Sequence, residues 1–145
     1  MQLPTTPIAE GDFLRSLIPQ KAPFVMVDTL YHFSETDLTS GFTVLDTNLF
    51  SIDNKLSAPG LIENMAQTVA LHTGYRYYLE QKEAPVGYIG AIKKATIFTL
   101  PKVGSEMFTT VEILHDIMGI TLVAAKIMCE NELLAQSEMK TALAS

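Results

Sequence analysis

The sequence predicts an α+β domain in which a curled antiparallel sheet wraps one long central helix. Three observations lead there. A stretch from Pro59 to about Leu79 is apolar at helical spacing. Two β-rich stretches precede it, and four more follow it with no second long helical pattern between them. Strands grouped in this way, rather than alternating with helices, favour antiparallel pairing over a parallel sheet.

Taken in order, Pro4 and Pro7 mark a loose start. Ile8, Phe13, Leu14, Leu17 and Ile18 then recur at the spacing of a short amphipathic helix that Pro19 stops. Residues 23–33, PFVMVDTLYHF, are dense in Val, Phe and Tyr and read as a buried strand. Residues 37–45, DLTSGFTVL, follow a Ser-Glu-Thr turn and pair with it as a hairpin. Residues 46–58 are rich in turn formers and read as irregular. In the long helix, Leu61, Ile62, Met65, Ala66, Val69 and Ala70 repeat every three or four residues, and Leu71 and Thr73 extend the apolar surface to a further side. Pro59 suits the first turn, where its missing N–H is no loss. A helix that is apolar nearly all round must be covered on most faces. The strands after it are expected at about 86–99, 106–117, 120–130 and 133–143, joined as a meander by PKVGSE, DIMG and ENE turns. The aromatics Phe24, Phe42, Phe50 and Phe98 and the methionines are expected in the core or along an apolar tunnel.

The 145 residues, 48% of them hydrophobic, suffice for one domain with a real core, spanning 1–145. Only 18% are charged, below the usual quarter, which suggests extra apolar surface for a partner subunit. A net charge of −6 argues against nucleic-acid binding, which depends on basic patches. A single cysteine, Cys129, rules out an intramolecular disulfide, and His32, His72 and His115 match no metal spacing, so neither metal nor cofactor is expected. No signal peptide and no membrane span are read from the sequence, which points to a cytoplasmic protein.

This element order is the hotdog arrangement, and four segments resemble the 3-hydroxyacyl-(acyl-carrier-protein) dehydratases of that fold. IPQKAPFVMVD at 18–28 is similar to the family's LPHRYPFLLVD, and IENMAQ at 62–67 to its IEAMAQ. AIKKATIFTLPKVGSE at 91–106 resembles KVKFRRPVVPGD, and ENELLAQSEM at 130–139 resembles DGELVAEAEL. The resemblance implies a dehydratase of fatty-acid or related polyketide metabolism acting on acyl thioesters of an acyl carrier protein or coenzyme A. It implies a homodimer, with a hexamer of three dimers or a heterodimer with a homologue also open. Elimination of water needs a base for the C2 proton and an acid for the leaving hydroxyl. In the family these are a His in the first motif and an acid on the central helix, drawn from two subunits.

Carried over, the acid is Glu63, while Gln20 stands where the family has His. A glutamine amide cannot serve as a general base. It can place an amide donor over a thioester carbonyl, an electrophilic role. A Glu with a Gln also resembles hotdog acyl-thioesterases, so thioester hydrolysis is a competing chemistry, and a non-catalytic acyl-binding or heterodimer subunit is a third. His72 lies nine residues beyond Glu63, about two and a half helical turns, and so faces away from it. Glu63 sits among Ile62, Met65 and Ala66, and Gln67 lies on the same helix face four residues on. Pro23, Phe24, Gly60, Met65 and Gly90 are candidates for substrate contact. Lys93 and Lys94 are either a solvated strand edge or a contact for phosphopantetheine or an acidic carrier protein, which Lys102 and Arg76 would extend. The strand at 86–99 is the expected dimer edge.

Overall fold

The computed structural model describes residues 6–143. Its central element is a 22-residue helix, Ala58–Leu79, about 33 Å long. Numbering in chain order, the elements before it are β1 (Ala9–Glu10), α1 (Gly11–Ser16), β2 (Thr29–Phe33), β3 (Asp37–Thr43), β4 (Ser51–Ile52) and β5 (Lys55–Leu56). The helix is α2, and β6 (Gly87–Ile97), β7 (Glu106–Ile117), β8 (Ile120–Cys129) and β9 (Glu132–Leu143) follow it. Seven strands form one sheet in the order β1-β2-β3-β7-β8-β9-β6, every neighbouring pair antiparallel. The sheet lays β3, β6, β7 and β8 against α2, which is the hotdog fold.

The helix buries Leu61, Asn64, Met65, Thr68, Leu71 and His72 at the three- and four-residue spacing that keeps one face on the sheet. Strand alternation supplies the opposing layer: Met107 and Val111 of β7, Val123, Ala125 and Ile127 of β8, and Leu134, Ala135 and Met139 of β9 are buried. Two tight turns drive the β7-β8-β9 meander. Met118-Gly119 and Glu130-Asn131 each hold two successive positive φ values, the conformation that matches a two-residue hairpin loop to the strand twist.

Three expectations from the sequence change. The first is the strand at 23–33, which is extended sheet only from Thr29. Residues 23–28 instead lie along α2 as a loop, because helix side chains rather than a neighbouring strand take the backbone groups of Phe24 and Met26. The second is the four-stranded meander. β6 pairs with β9 and not with β7. The chain leaving β6 is held by Phe98 N–H on the Leu134 carbonyl, and then by Pro101, Val103 and Ser105 bonding to Leu56, Asn54 and Val44. Those bonds carry it under the helix N-terminus and deliver β7 to the edge of β3. The third is the aromatic core. Phe42 is buried and Phe50 half-buried, but Phe24 and Phe98 are each 54% exposed, and Met118 at its hairpin tip is wholly exposed. The irregular stretch 46–58 also contains the small β4-β5 hairpin, turned at Asp53 and Asn54 with positive φ. The short first helix is confined to Gly11–Ser16, with Leu14, Leu17 and Ile18 buried while Ile8 and Phe13 remain exposed.

His72 closes the far end of the helix–sheet layer. It is 3% exposed, donates from Nε2 to the Ser34 carbonyl at 2.9 Å, and stacks on Phe33 with ring centres 5.0 Å apart. Burial holds its pKa below the ordinary 6.5; the bond to Ser34 opposes this and the nearby Arg76 charge adds to it.

At Gly74 the helix backbone comes close against the Leu17 backbone. A Cβ there would lie 1.8 Å from the Leu17 carbonyl oxygen, and backbone cannot yield as a flexible side chain can. Gly74→Ala should therefore destabilise the fold by about 1–3 kcal/mol, as overpacking does, read as a lower urea midpoint with an unchanged slope. His72 predicts a pH dependence. As pH falls through 6.5 the unfolded chain takes a proton that folded His72 does not, so stability present above 6.5 is lost progressively below it. His72→Gln should flatten that loss in urea melts across the range. Asp28, raised by burial, acts in the opposite direction and is common to the two proteins, while Asp37, lowered chiefly by its bond to Ser34 and in part by His72 itself, acts in the same direction and adds to the difference between them.

Candidate functional site

The site is assembled on the first half of α2. Glu63 is half-buried, and its Oε2 accepts a hydrogen bond from Gln67 Nε2 at 2.8 Å. The same Nε2 donates to the Phe24 carbonyl at 2.8 Å, and Gln67 Oε1 accepts from Met26 N–H at 2.6 Å. Gln67 is fully buried and all of this hydrogen bonding is internal. It is therefore a positioning residue: it fixes the carboxylate rotamer and ties the 23–28 loop to the helix in one step. Asn64, three residues before Gln67, does the companion work. Its Nδ2 donates to the Met26 carbonyl at 2.7 Å and its Oδ1 accepts from Thr109 Oγ1 at 2.6 Å, joining loop, helix and β7. Thr68 and Ser40 continue the buried polar row, 2.8 Å apart.

Beside this row lies a cavity of about 340 Å³, walled by Leu17, Ile18, Ala66, Val69, Ala70 and Leu143 and closed by residues 83–87 of the α2–β6 connection. Glu63 and Gln20 both line it. Gln20 and Glu63 of a single chain thus share one cavity, where the resemblance implies a pair drawn from two subunits. The Gln20 carbonyl oxygen, Oε1, is buried and has no hydrogen-bond partner among the described residues. Among the described residues the titratable wall groups are Glu63 and Glu83, and no histidine is among them. Small residues at 66, 70 and 74, four apart, leave the room along one helix stripe.

The other candidates lie elsewhere. Met65 is fully buried in the core with Ser137 Oγ 3.4 Å from its sulfur, on the sheet side of the helix. Gly60 packs against Leu56 and Phe50 below the helix start, where a Cβ would come within 2.7 Å of Leu56. Pro23 and Phe24 are exposed, and Phe24 contributes its carbonyl to Gln67 rather than its ring to the cavity. Gly90 marks a register shift in β6, next to Ile89, which does line the cavity. Lys93 and Lys94 are exposed on the same strand. Lys94 pairs with Glu138 at 3.1 Å, while Lys93 has its pKa lowered by the adjacent Lys140 ammonium. His32 pairs with Asp37 at 3.0 Å, and His115 is exposed on β7. None of the three histidines reaches Glu63's cavity. Among the described residues no group of three or more His, Cys, Asp or Glu is placed to hold a metal, and no helix is long and apolar enough to cross a membrane.

Sequence reasoning missed Asn64, Thr109 and the cavity wall at 83–87. An asparagine in the middle of an apolar helix face was the available signal for the first, since a buried amide needs partners.

A family description, the ApeP-like dehydratases, matches residues 13–144. The chain belongs to that family. The family description carries the dehydratase resemblance across nearly the whole chain, including the segments that hold Gln20, Glu63 and Gln67. Among solved structures, the fold matches a chain of the dehydratase heterocomplex ApeI:P from Xenorhabdus doucetiae at a TM-score of 0.84, with 17% identity over 91% of each chain. It also matches the uncharacterized protein PH1136 from Pyrococcus horikoshii at 0.70, with 12% identity over 97% of this chain and 96% of that one. A hypothetical thioesterase from Streptococcus pneumoniae TIGR4, solved with coenzyme A, matches at 0.65 with 8% identity over 80% and 84% of the two chains. At these identities the three share the fold with the family's member described here. No curated protein gives a significant sequence match to the chain.

Gln67→Met keeps the volume but leaves Met26 N–H without its acceptor and Phe24 C=O without its donor. It should cost about 2 kcal/mol or more, since each orphaned buried group costs about 1–3 kcal/mol, measured by urea unfolding against Glu63→Gln, which should change stability far less.

Proposed function

We propose that this chain is a dehydratase subunit that binds a 3-hydroxyacyl thioester in the cavity beside α2 and uses Glu63 for proton transfer. The observation that carries the reading is the placing of Glu63 and the Gln20 amide on one cavity with apolar walls. Such a cavity suits an acyl chain, and convergent polar groups at one end suit its reacting carbons. Glu63, steadied by Gln67, stands as the acid that protonates the leaving hydroxyl. The C2 proton needs a second group, and the cavity offers no imidazole to take it. The reading therefore places that base on a second hotdog chain, making the active species a complex. The dehydratase heterocomplex ApeI:P, whose fold this chain shares, supports this arrangement.

β6 supports it as well. Among the described residues it is an edge strand with one side unpaired, and Val86, just before it, and Ile89, on it, are exposed beside the cavity. An unpaired edge with apolar side chains is a template for a neighbouring strand. Lys93 and Lys94 on the same strand would then lie near the entrance, where the phosphate of a pantetheine arm or an acidic carrier protein approaches. A thioester hydrolase is the second reading, favoured by the pairing of one carboxylate and one amide on the same cavity.

The two readings separate in one assay. The purified chain, alone and with a homologous hotdog subunit carrying the motif histidine, is given 3-hydroxyacyl and saturated acyl thioesters. Enoyl thioester is expected only with the partner present, and Glu63→Gln should lower its rate by about 10²- to 10⁴-fold. Free thiol released from the saturated thioester by the chain alone, and lost in Glu63→Gln, would replace dehydration with hydrolysis.

A further inference from the structure

The cavity beside α2 has a second, smaller chamber behind it. This space of about 30 Å³ lies toward the C-terminal half of the helix, with Val111 and Ile113 of β7 and Val123 of β8 among its walls. Val69, Thr73, Thr141 and Leu143 line both spaces, so they form the partition between them. The fold explains how. Val69 and Thr73 are four residues apart, on one face of α2. Thr141 and Leu143, two residues apart, share one face of β9. Thr141 also sits in register between Ile89, which lines the large cavity, and Thr121, which lines the small chamber. The large cavity follows the helix up to this partition, since Glu63, Ala66, Ala70 and Thr73 all line it.

We propose that the partition sets acyl-chain length: Val69, Thr73, Thr141 and Leu143 stop the far end of the bound chain. This rests on the reading that the cavity takes an acyl thioester with its reacting carbons at Glu63. Ten residues separate Glu63 from Thr73, about 15 Å of helix. An extended chain advances about 1.2 Å per bond, so about twelve bonds cover that distance. The volume agrees: at about 30 Å³ for each water-sized group, 340 Å³ holds about eleven of them. The ligand class is therefore the thioester of a straight acyl chain of about 12 to 15 carbons. The small chamber takes about one water-sized group more, and only if the partition gives way.

The test is isothermal titration of the full chain with saturated acyl-coenzyme A esters from octanoyl to octadecanoyl, each below its micelle-forming concentration. Affinity should rise about 4-fold per added methylene while the cavity fills, the value of one buried methylene, and level off near tetradecanoyl. Thr73→Ala takes two heavy atoms out of the partition and joins the two spaces, so the plateau should move about two carbons further. The ratio of hexadecanoyl to tetradecanoyl affinity should then rise about 16-fold over the wild type. Thr73 is only half-buried, so its truncation leaves the fold in place. Val69→Ala should move the plateau in the same direction, which separates opening the partition from losing the Thr73 hydroxyl. Affinity that keeps rising to octadecanoyl in the wild type would overturn the proposal. So would a plateau that neither variant moves. Both of those results leave the acyl-thioester reading standing. If no ester in the series binds, that reading fails and the proposal fails with it.

Discussion

Everything at the site depends on two amides of α2 gripping the backbone of one loop. Asn64 and Gln67 take the N–H and C=O of Met26 and the C=O of Phe24, and they do so from successive turns of a buried helix. Backbone groups of a buried segment must be paired, and in a sheet they would find a neighbouring strand. Here the helix offers the partners instead. The consequence is geometric: residues 23–28 lie along the helix rather than extending the sheet, and Gln20, just upstream, comes to the same cavity as Glu63. Since Gln67 also holds the Glu63 carboxylate, loop position and carboxylate orientation are coupled through one side chain.

The sheet serves this arrangement by covering the opposite side of the helix. β3 and β7 face the Asn64 and Thr68 turns, supplying Ser40 and Thr109 as partners, while β8 and β9 bring purely apolar residues and Ser137. The polar row is thus fully internal on the sheet side, and the open space lies on the flank between α1 and the α2–β6 connection. Space there comes from what the helix lacks: Ala66, Ala70 and Gly74 present almost no side chain along one stripe. Gly74 has the further task of admitting the Leu17 carbonyl, so the same stripe that leaves the cavity open also seats the segment leading to Gln20.

Much of this was legible in the sequence, and for physical reasons. The helix was plain because its apolar residues recur at the period of a buried helix, and Glu63 and Gln67 stood out as charged and polar groups on that apolar surface. The hairpin of β2 and β3 and the two tight turns of the β7-β8-β9 meander followed from local pattern. What could not be read was long-range. Residues 23–28 have strand composition, and only the amides some forty residues later decide that they are loop. The partner of β6 is equally non-local, since pairing with β9 rather than β7 is set by the tethering of residues 98–105 to Val44, Asn54 and Leu56. Met65 and Gly60 have the right composition for a ligand wall but face the sheet and β5, a distinction of helix rotation that spacing alone does not resolve.

The connection between α2 and β6 has a bearing on how such a protein diversifies. Residues 83–87 form one wall of the cavity but none of the hydrophobic core, and most are exposed. The remaining walls belong to the helix, to the Ser16–Gln20 segment and to Ile89, Thr141 and Leu143 of the sheet, and on the helix and at Leu17–Ile18 any enlargement would open a void in close-packed structure. The size and shape of the cavity are therefore set in part by a segment that carries little folding free energy. Insertions and substitutions there can remodel what the cavity admits while the helix, its two amides and the carboxylate stay where they are.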